Sequence, residues 1–534
     1  MKISSILASV ACAAVLLASD VLSSPIGPLH KRATNKVIVG YFPNWLYSRY
    51  LPANIDFSKY THINYAFAVQ YQGNTPQWAD SGVLDTSVQY GFPKLVSLAH
   101  AAGVKVVVSV GGWSGSVAFS GMASTAANRA QFITWNINFI KQYGTDGVDL
   151  DWEYPTSTGA GCNAVNANDI TNFAALVKEM RAALDSNFPT VHKELTLAVH
   201  LTPWGGATIV PDATAFTPYV DRFNVMSFDV NGAWNSTSGP NAPLHNTPGY
   251  GYPYGLVEGV KSWIAAGVPA NQIAAGVAFY GRAQTLTVSS TSTQYNPGVV
   301  GAPLGDQLDA PWQDAYCSSD TQAASGVWRY TYMRSQGLLT TPTTAAAPWI
   351  RSFDNVTQTP WLFNPSNKQY ISYDDPVSIG LKADYAISAG LAGLFCWSVD
   401  EDNGELLAAM QKVISGNTSP TAITTGASST TTTTQATTTT TKATTTTTKA
   451  TTTTKATTTT TKATTTTGVT TTASATPTGS GGSCTAANNG AMVCLAAGTS
   501  TSYQTCVNGG WVVQNCGAGT VCQTSGSSIY CGFP

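Results

Sequence analysis

Charge is the scarcest resource in this sequence. Asp, Glu, Lys and Arg make up 10% of the 534 residues, and the formal net charge is -2. No basic surface is present to attract nucleic acid or acidic lipid. Only 6 His occur, and no Cys or His ligands fall at the close spacing of a zinc site, so neither a metal nor a cofactor is expected. Beyond the N-terminus there is no apolar run of about 18 residues, which leaves no candidate membrane span. The glycine-rich phosphate loop of an open, doubly wound nucleotide fold is also missing. Aromatic rings, by contrast, are plentiful, with 14 Trp and 23 Tyr. Flat rings in a weakly charged chain suit a neutral, polar ligand that offers apolar faces for stacking, as sugars do.

Composition divides the chain. MKISSILASVACAAVLLASDVLSS carries one early Lys, an apolar run from Ile6 to Ala18, then small and polar residues. This is the pattern of a secretory signal over residues 1–24. Lys31 and Arg32 read either as a dibasic processing site ending a pro-segment near 32, or as an ordinary exposed pair. The product is expected outside the cell, secreted or held at the wall. Residues 33–415 are globular in composition, whereas 416–482 collapse to Thr with Ala and periodic Lys (Lys442, Lys449, Lys455, Lys462). Such a tract buries too little apolar area to fold and reads as an extended, O-glycosylated linker. Residues 483–534 hold Cys484, Cys494, Cys506, Cys516, Cys522 and Cys531, a stapled mini-domain with 15 possible pairings. In the central region Cys162, Cys317 and Cys396 are odd in number, so at least one is free or pairs elsewhere. Cys396, inside an apolar run, reads as a small core residue. Asn235, Asn355 and Asn417 open N-glycosylation sequons.

Eight short apolar, β-branched runs punctuate the globular region, at 36–42, 61–67, 104–112, 147–153, 195–201, 222–228, 273–281 and 390–399. Seven are followed by plausible helices, among them 165–185 and 256–266. The order predicts an α/β protein, a (β/α)8 barrel, with an α+β insertion after the seventh strand at about 283–375. Functional residues of such barrels gather at the C-terminal ends of the strands.

The fourth run, DGVDLDWEYP at 146–155, alternates Val148, Leu150 and Trp152 with Asp149, Asp151 and Glu153. Residues two apart share a face of a strand. Three like charges on one face are costly to bury unless protonated, paired or hydrogen-bonded, so a strand built for stability alone has no use for them. The coupled group is expected to titrate together and to keep an acid protonated at mildly acidic to neutral pH.

DxxDxDxE at 146–153, SxGGW at 109–113, MxFD at 226–229, FYGR at 279–282 and Trp397 closing the eighth run together resemble glycoside hydrolase family 18, the chitinases, over about 36–410. That family departs from the two-carboxylate scheme because the substrate's own N-acetyl group is the nucleophile. The resemblance implies that Glu153 protonates the leaving oxygen and then acts as base on water. Asp151 would orient the acetamide and stabilise the oxazolinium ion, and Asp149 would share a proton with Asp151. It implies stacking by Tyr41, Phe67, Trp113 and Trp397, in a cleft also lined by Gly112, Met226, Phe228, Asp229, Tyr280 and Arg282. Phe228 is a departure, since the family usually has a Tyr there whose hydroxyl bonds the acetyl carbonyl oxygen; Tyr280 is the substitute donor to consider. The cysteine-rich tail resembles carbohydrate-binding module family 19, with Tyr503, Trp511, Tyr530 and Phe533 as stacking candidates, although Trp511 reads equally well as the plug of a mini-core. The expected protein is a monomeric, endo-type retaining chitinase whose partners are chitin and chito-oligosaccharides. The alternatives are a chitin-binding lectin on the same barrel, which Glu153 argues against, and an endo-β-N-acetylglucosaminidase, which the tail argues against.

Overall fold

The computed structural model describes residues 36–204 and 212–416 and, toward the C-terminus, 492–497, 499–507, 510–515, 521–525 and 528–532. The signal, the dibasic pair, the linker, Asn417, Cys484, Cys516 and Phe533 lie outside the described residues, as do the side chains of Cys506, Tyr530 and Cys531.

In chain order the main elements are β1 (Val37–Pro43), β2 (His62–Ala68), α1 (Phe92–Ala101), β3 (Lys105–Gly111), α2 (Phe119–Ala123), α3 (Ala126–Tyr143), β4 (Gly147–Asp151), α4 (Asp169–Asn187), β5 (Glu194–His200), β6 (Arg222–Met226), α5 (Leu256–Ala265), β7 (Ile273–Ala278), β8 (Tyr280–Thr285), α6 (Tyr330–Ser335), α7 (Pro376–Ser388) and a closing strand, Gly393–Trp397. β1 to β7 and the closing strand pair in parallel and form a closed eight-stranded barrel. The expected (β/α)8 architecture is therefore present.

Each strand divides its side chains between two environments, as the two-residue period requires. Val106, Val108 and Val110 of β3, Val148 and Leu150 of β4, and Leu195, Leu197 and Val199 of β5 face outward and join the large core under the helices. The alternate residues enter the lumen, where Val39, Tyr41, Ala66, Ala274 and Phe395 form a small apolar cluster of their own. Local signals fix the helices: Thr125 caps α3 by accepting from the Asn128 N–H, and Gly144, at φ 72°, ends it.

Two expectations need correction. Not every strand is followed by an α-helix. After β1 the chain makes three 3-10 turns, 47–49, 52–54 and 57–59, the second begun by Pro52. Between β5 and β6 no α-helix occurs among the described residues. The run at 273–281 also divides. Phe279 donates its N–H to the Trp397 carbonyl at 2.9 Å, and beyond it β8 leaves the barrel to join an antiparallel sheet in the order Val327–Arg329, β8, Gln369–Ser372, Thr359–Asn364, Ile350–Asp354. That sheet, with α6, is the insertion. The chain returns to the barrel through α7, capped by Asp375 with Pro376 at its first position.

Cys162 and Cys317 form a disulfide between the loop after β4 and the insertion. Cys396 is free and buried, as its apolar surroundings suggested. In the C-terminal unit, Met492–Cys494, Ser502–Val507 and Gly510–Asn515 form a three-stranded antiparallel sheet, Val521–Ser525 pairs with Ser528–Gly532, and Cys494 bridges Cys522. Among the described residues no helix is long and apolar enough to cross a membrane.

Candidate functional site

β4 delivers the first two acids. Asp149 and Asp151 face the lumen, 0% and 3% exposed. The strand ends at Asp151, so Glu153 stands beyond it and is aimed by tertiary contacts rather than by strand alternation. Trp152, fully buried, stacks on Phe119 at 5.3 Å. The Glu153 N–H donates to Ser116 Oγ at 2.9 Å, and Asn163 Nδ2 donates to the Glu153 carbonyl at 2.7 Å. Gly111 and Gly112, at φ 118° and 84°, let the end of β3 press against this corner. The Gly112 N–H donates to the Asp151 carbonyl at 2.9 Å, and a Cβ on Gly112 would lie 2.7 Å from the Phe67 ring.

The barrel register sets Ser109, Asp149 and Thr196 level with one another. Asp149 accepts from Tyr41 Oη at 2.8 Å, Ser109 Oγ at 2.7 Å, Asn224 Nδ2 at 3.3 Å and the Thr196 hydroxyl. Asp151 Oδ1, by contrast, has no hydrogen-bond partner. Burial first, then the charges of Glu153 and Asp149, push Asp151 well above the ordinary carboxylate range. Burial also pushes Glu153, 9% exposed, up to about 7, with the Tyr154 hydroxyl pulling it down and Asp229 raising it further. The arrangement places a carboxylic acid able to give and take a proton near neutrality beside a second acid with free hydrogen-bonding capacity.

Aromatic rings cover the opposite side. Trp397 ends the closing strand and stacks on Phe67 at 5.7 Å and 12°. Trp45 approaches Trp397 at 6.1 Å and is 47% exposed. Tyr41, expected as a stacking ring, is 2% exposed, and its hydroxyl is engaged with Asp149; it is part of the wall. Trp113 is 44% exposed and donates from Nε1 to Asp320 of the insertion at 3.1 Å. Met226 and Phe228 pack against the luminal cluster, and Gly276 makes room for Phe228, since a Cβ there would meet its ring at 2.7 Å. Asp229, left-handed at φ 56°, accepts from Tyr280 Oη and Arg282 Nε, both at 2.6 Å. Arg282 lies 5.0 Å from the Trp234 ring.

Sequence reasoning missed Trp45, Trp234, Tyr154 and most of the donors around Asp149. Ser109 lay inside a quoted motif, whereas Asn224 and Thr196 sit on strands whose luminal face was not read residue by residue. In the C-terminal unit, Tyr503 pairs opposite Cys494 and Trp511 opposite Cys506. Alternation puts Tyr503 on the face of the buried Cys494, and Trp511 on the face of the exposed Val513.

Comparison with known proteins converges on one family. A profile of Glycosyl hydrolases family 18 matches residues 37–402. The chain is 32% identical over 407 residues to a chitinase-like effector of Moniliophthora roreri, covering 74% of this chain and 95% of that protein. It is 31% identical over 467 residues to Chitinase A1 of Niallia circulans, covering 78% of this chain and 64% of that one. Among solved structures, a chitinase of Rhizomucor miehei matches with a TM-score of 0.64 at 31% identity, over 71% of this chain and 100% of the other. The Group IV chitinase of Ostrinia furnacalis in complex with allosamidin matches at 0.60 and 28% identity, over 72% and 99%.

Proposed function

The chain belongs to the glycosyl hydrolases of family 18, and from that premise we propose that it is a secreted chitinase that cuts β-1,4 linkages between N-acetylglucosamine units with retention, using the substrate's acetamide as nucleophile. The observation that carries this reading is the contrast between the acids. Glu153, raised to about 7, is the general acid and then the base. Asp151, with Oδ1 unpartnered, receives the acetamide N–H and faces the positive charge of the oxazolinium ion. In the first step the acetamide oxygen bonds to C1 as the glycosidic bond breaks and Glu153 gives its proton to the leaving oxygen. In the second, Glu153 takes a proton from water, which attacks C1 and reopens the ring. Trp397 supports the sugar at the cleavage point, and Phe67, Trp45 and Trp113 extend the stacking surface.

The Thr-rich tract and cysteine-rich tail act in this reading as tether and anchor, raising the effective concentration of the barrel at insoluble polymer. Trp511, on the open face of its sheet, is the preferred contact there. A second reading, binding to chitin without turnover, draws support from Phe228 and from Tyr280, whose proton is committed to Asp229. Glu153→Gln decides between them. On chitin oligomers the wild type releases β-anomeric product, and the variant loses about 100-fold or more of kcat while still binding. Equal turnover by both overturns the assignment; no turnover by either leaves the binding protein.

A further inference from the structure

The insertion reaches back to the barrel through a short hairpin, in which Trp312–Gln313 pairs with Thr321–Gln322. Its tip, residues 314–320, is closed on itself. Asp314, 3% exposed, accepts the Tyr316 and Cys317 N–H groups at 2.6 and 2.7 Å, and its own N–H reaches the Asp320 carbonyl at 2.9 Å. That tip holds three successive barrel loops. Tyr316 packs on Tyr71, after β2, with ring centres 4.7 Å apart; Asp320 accepts from Trp113, after β3; and Cys317, 1% exposed, is bonded to Cys162, after β4.

The covalent tie differs from the other two in what lies behind it. Cys162 is next to Asn163, 6% exposed, whose Nδ2 donates to the Glu153 carbonyl. Between them the chain folds back on the acid: the Ser157 N–H meets the Tyr154 carbonyl at 3.0 Å, and the Gly161 and Asn163 N–H groups meet the Thr158 carbonyl at 2.8 and 3.2 Å. Gly159, left-handed at φ 52°, passes so close that a Cβ would lie 2.2 Å from the Glu153 carbonyl oxygen. Residues 156–164 read TSTGAGCNA and hold no large apolar side chain. A turn with so little to bury opens readily unless something else anchors it. Because β4 has already ended at Asp151, Glu153 depends on this turn for its aim.

We propose that Cys162 and Cys317 are positioning residues: their disulfide anchors the small-residue turn to the insertion, keeps Asn163 on the Glu153 carbonyl, and thereby keeps the acid aimed at the glycosidic oxygen. The insertion then contributes to the chemical step as well as to the wall of the cleft.

The inference rests on the catalytic reading above and is tested separately from it, on the full chain with soluble chitin oligomers. Asn163→Leu removes the pin and keeps the bridge, whereas the double variant Cys162→Ala, Cys317→Ala removes the bridge and keeps the pin. Each is expected to lower kcat by about tenfold, the scale of a slightly misplaced catalytic group, with KM within about twofold of wild type. Combining all three substitutions should cost no more than Asn163→Leu alone, because both changes act on one contact. Falls that multiply, or a double variant with lowered Tm and unchanged kcat, overturn the proposal. Should the double variant fail to fold, a dithiol reductant applied to the folded wild type opens the same bridge. It gives up two electrons and two protons, the S–S bond becomes two thiols, and the dithiol closes to a cyclic disulfide; kcat is expected to fall equally and to return on reoxidation. Amide exchange over 154–164 reads the same contact without turnover. Loss of the bridge should speed exchange there by about tenfold or more, and unchanged protection overturns the proposal whether or not the protein is active. Turnover by Glu153→Gln would sink the catalytic reading; an inactive Glu153→Gln, with kcat unmoved by loss of the bridge, sinks this inference alone.

Discussion

The two faces of one strand make the sharpest contrast in the molecule. Outward from β4, Val148 and Leu150 join a continuous core of Val, Leu, Ile and Phe from the neighbouring strands and helices. Inward, Asp149 and Asp151 share the lumen with the polar groups of Tyr41, Asn224 and Thr196 and with the apolar Ala274 and Phe395. The outer face is what burial of apolar area selects, at roughly 25 cal/mol per Å². The inner face buries two acids, with Glu153 a third just beyond the strand's end, an arrangement that lowers stability unless each finds partners or a proton. The barrel closure is thus stabilised from outside, and the interior is free to carry chemistry.

The largest test of that division substitutes neighbours. Asp151→Asn removes a buried acid while leaving shape intact, and kcat on chitin oligomers is expected to fall by about 100-fold or more with Tm unchanged or raised. Leu150→Ala, one residue away on the outer face, should do the reverse. Unfolding in urea is expected to show a loss of about 2–5 kcal/mol from the transfer and cavity terms, with kcat per folded molecule preserved. Equal loss of activity from both would mean that the two faces are not independent.

Much of this contrast was legible beforehand. The period of two in 104–112, 147–153 and 195–201 identified the strands and the acid-bearing face, and the long gap after the seventh run identified the insertion. Less legible was whatever depends on residues brought together from distant segments. The end of β4 at Asp151 is set by Ser116 and Asn163 holding the Glu153 backbone, not by any local pattern. Tyr41 reads from sequence as one more cleft aromatic, and only the closed barrel shows its hydroxyl turned to Asp149. Trp45 follows a strand and Trp234 sits in a long loop; neither carries a periodic signal.

Stability against pH sharpens the same comparison from the inner face. Glu153 is raised from its ordinary 4.5 to about 7 by burial. Between those values the folded state holds a proton that the unfolded state releases, so unfolding free energy should decline as pH rises from about 4.5 to about 7 and level off above. Chemical denaturation across that range, compared with Glu153→Gln, isolates the contribution; the variant is expected to lose this part of the slope. A slope shared by both proteins would assign it to other groups.

The smallest expected change is a gain, and it tests whether the apolar side of the lumen limits the polar side. Phe228 packs edge-on to Phe395 at 5.8 Å and to Tyr280 at 6.3 Å, in the space that Gly276 leaves open. In the proposed reaction it offers no donor to orient the acetamide oxygen, and the Tyr280 proton is held by Asp229 at 2.6 Å. Phe228→Tyr adds one hydroxyl at that position. A hydrogen bond that aims the acetamide oxygen at C1 positions the nucleophile rather than tightening the resting complex, so kcat should rise by up to about tenfold, the upper end for a neutral hydrogen bond, with KM little changed. A lower KM at constant kcat would show that the new hydroxyl binds the resting sugar instead. No change in either would mean that another donor already serves the carbonyl oxygen, and that Phe228 belongs, like Phe395, to the apolar packing of the lumen.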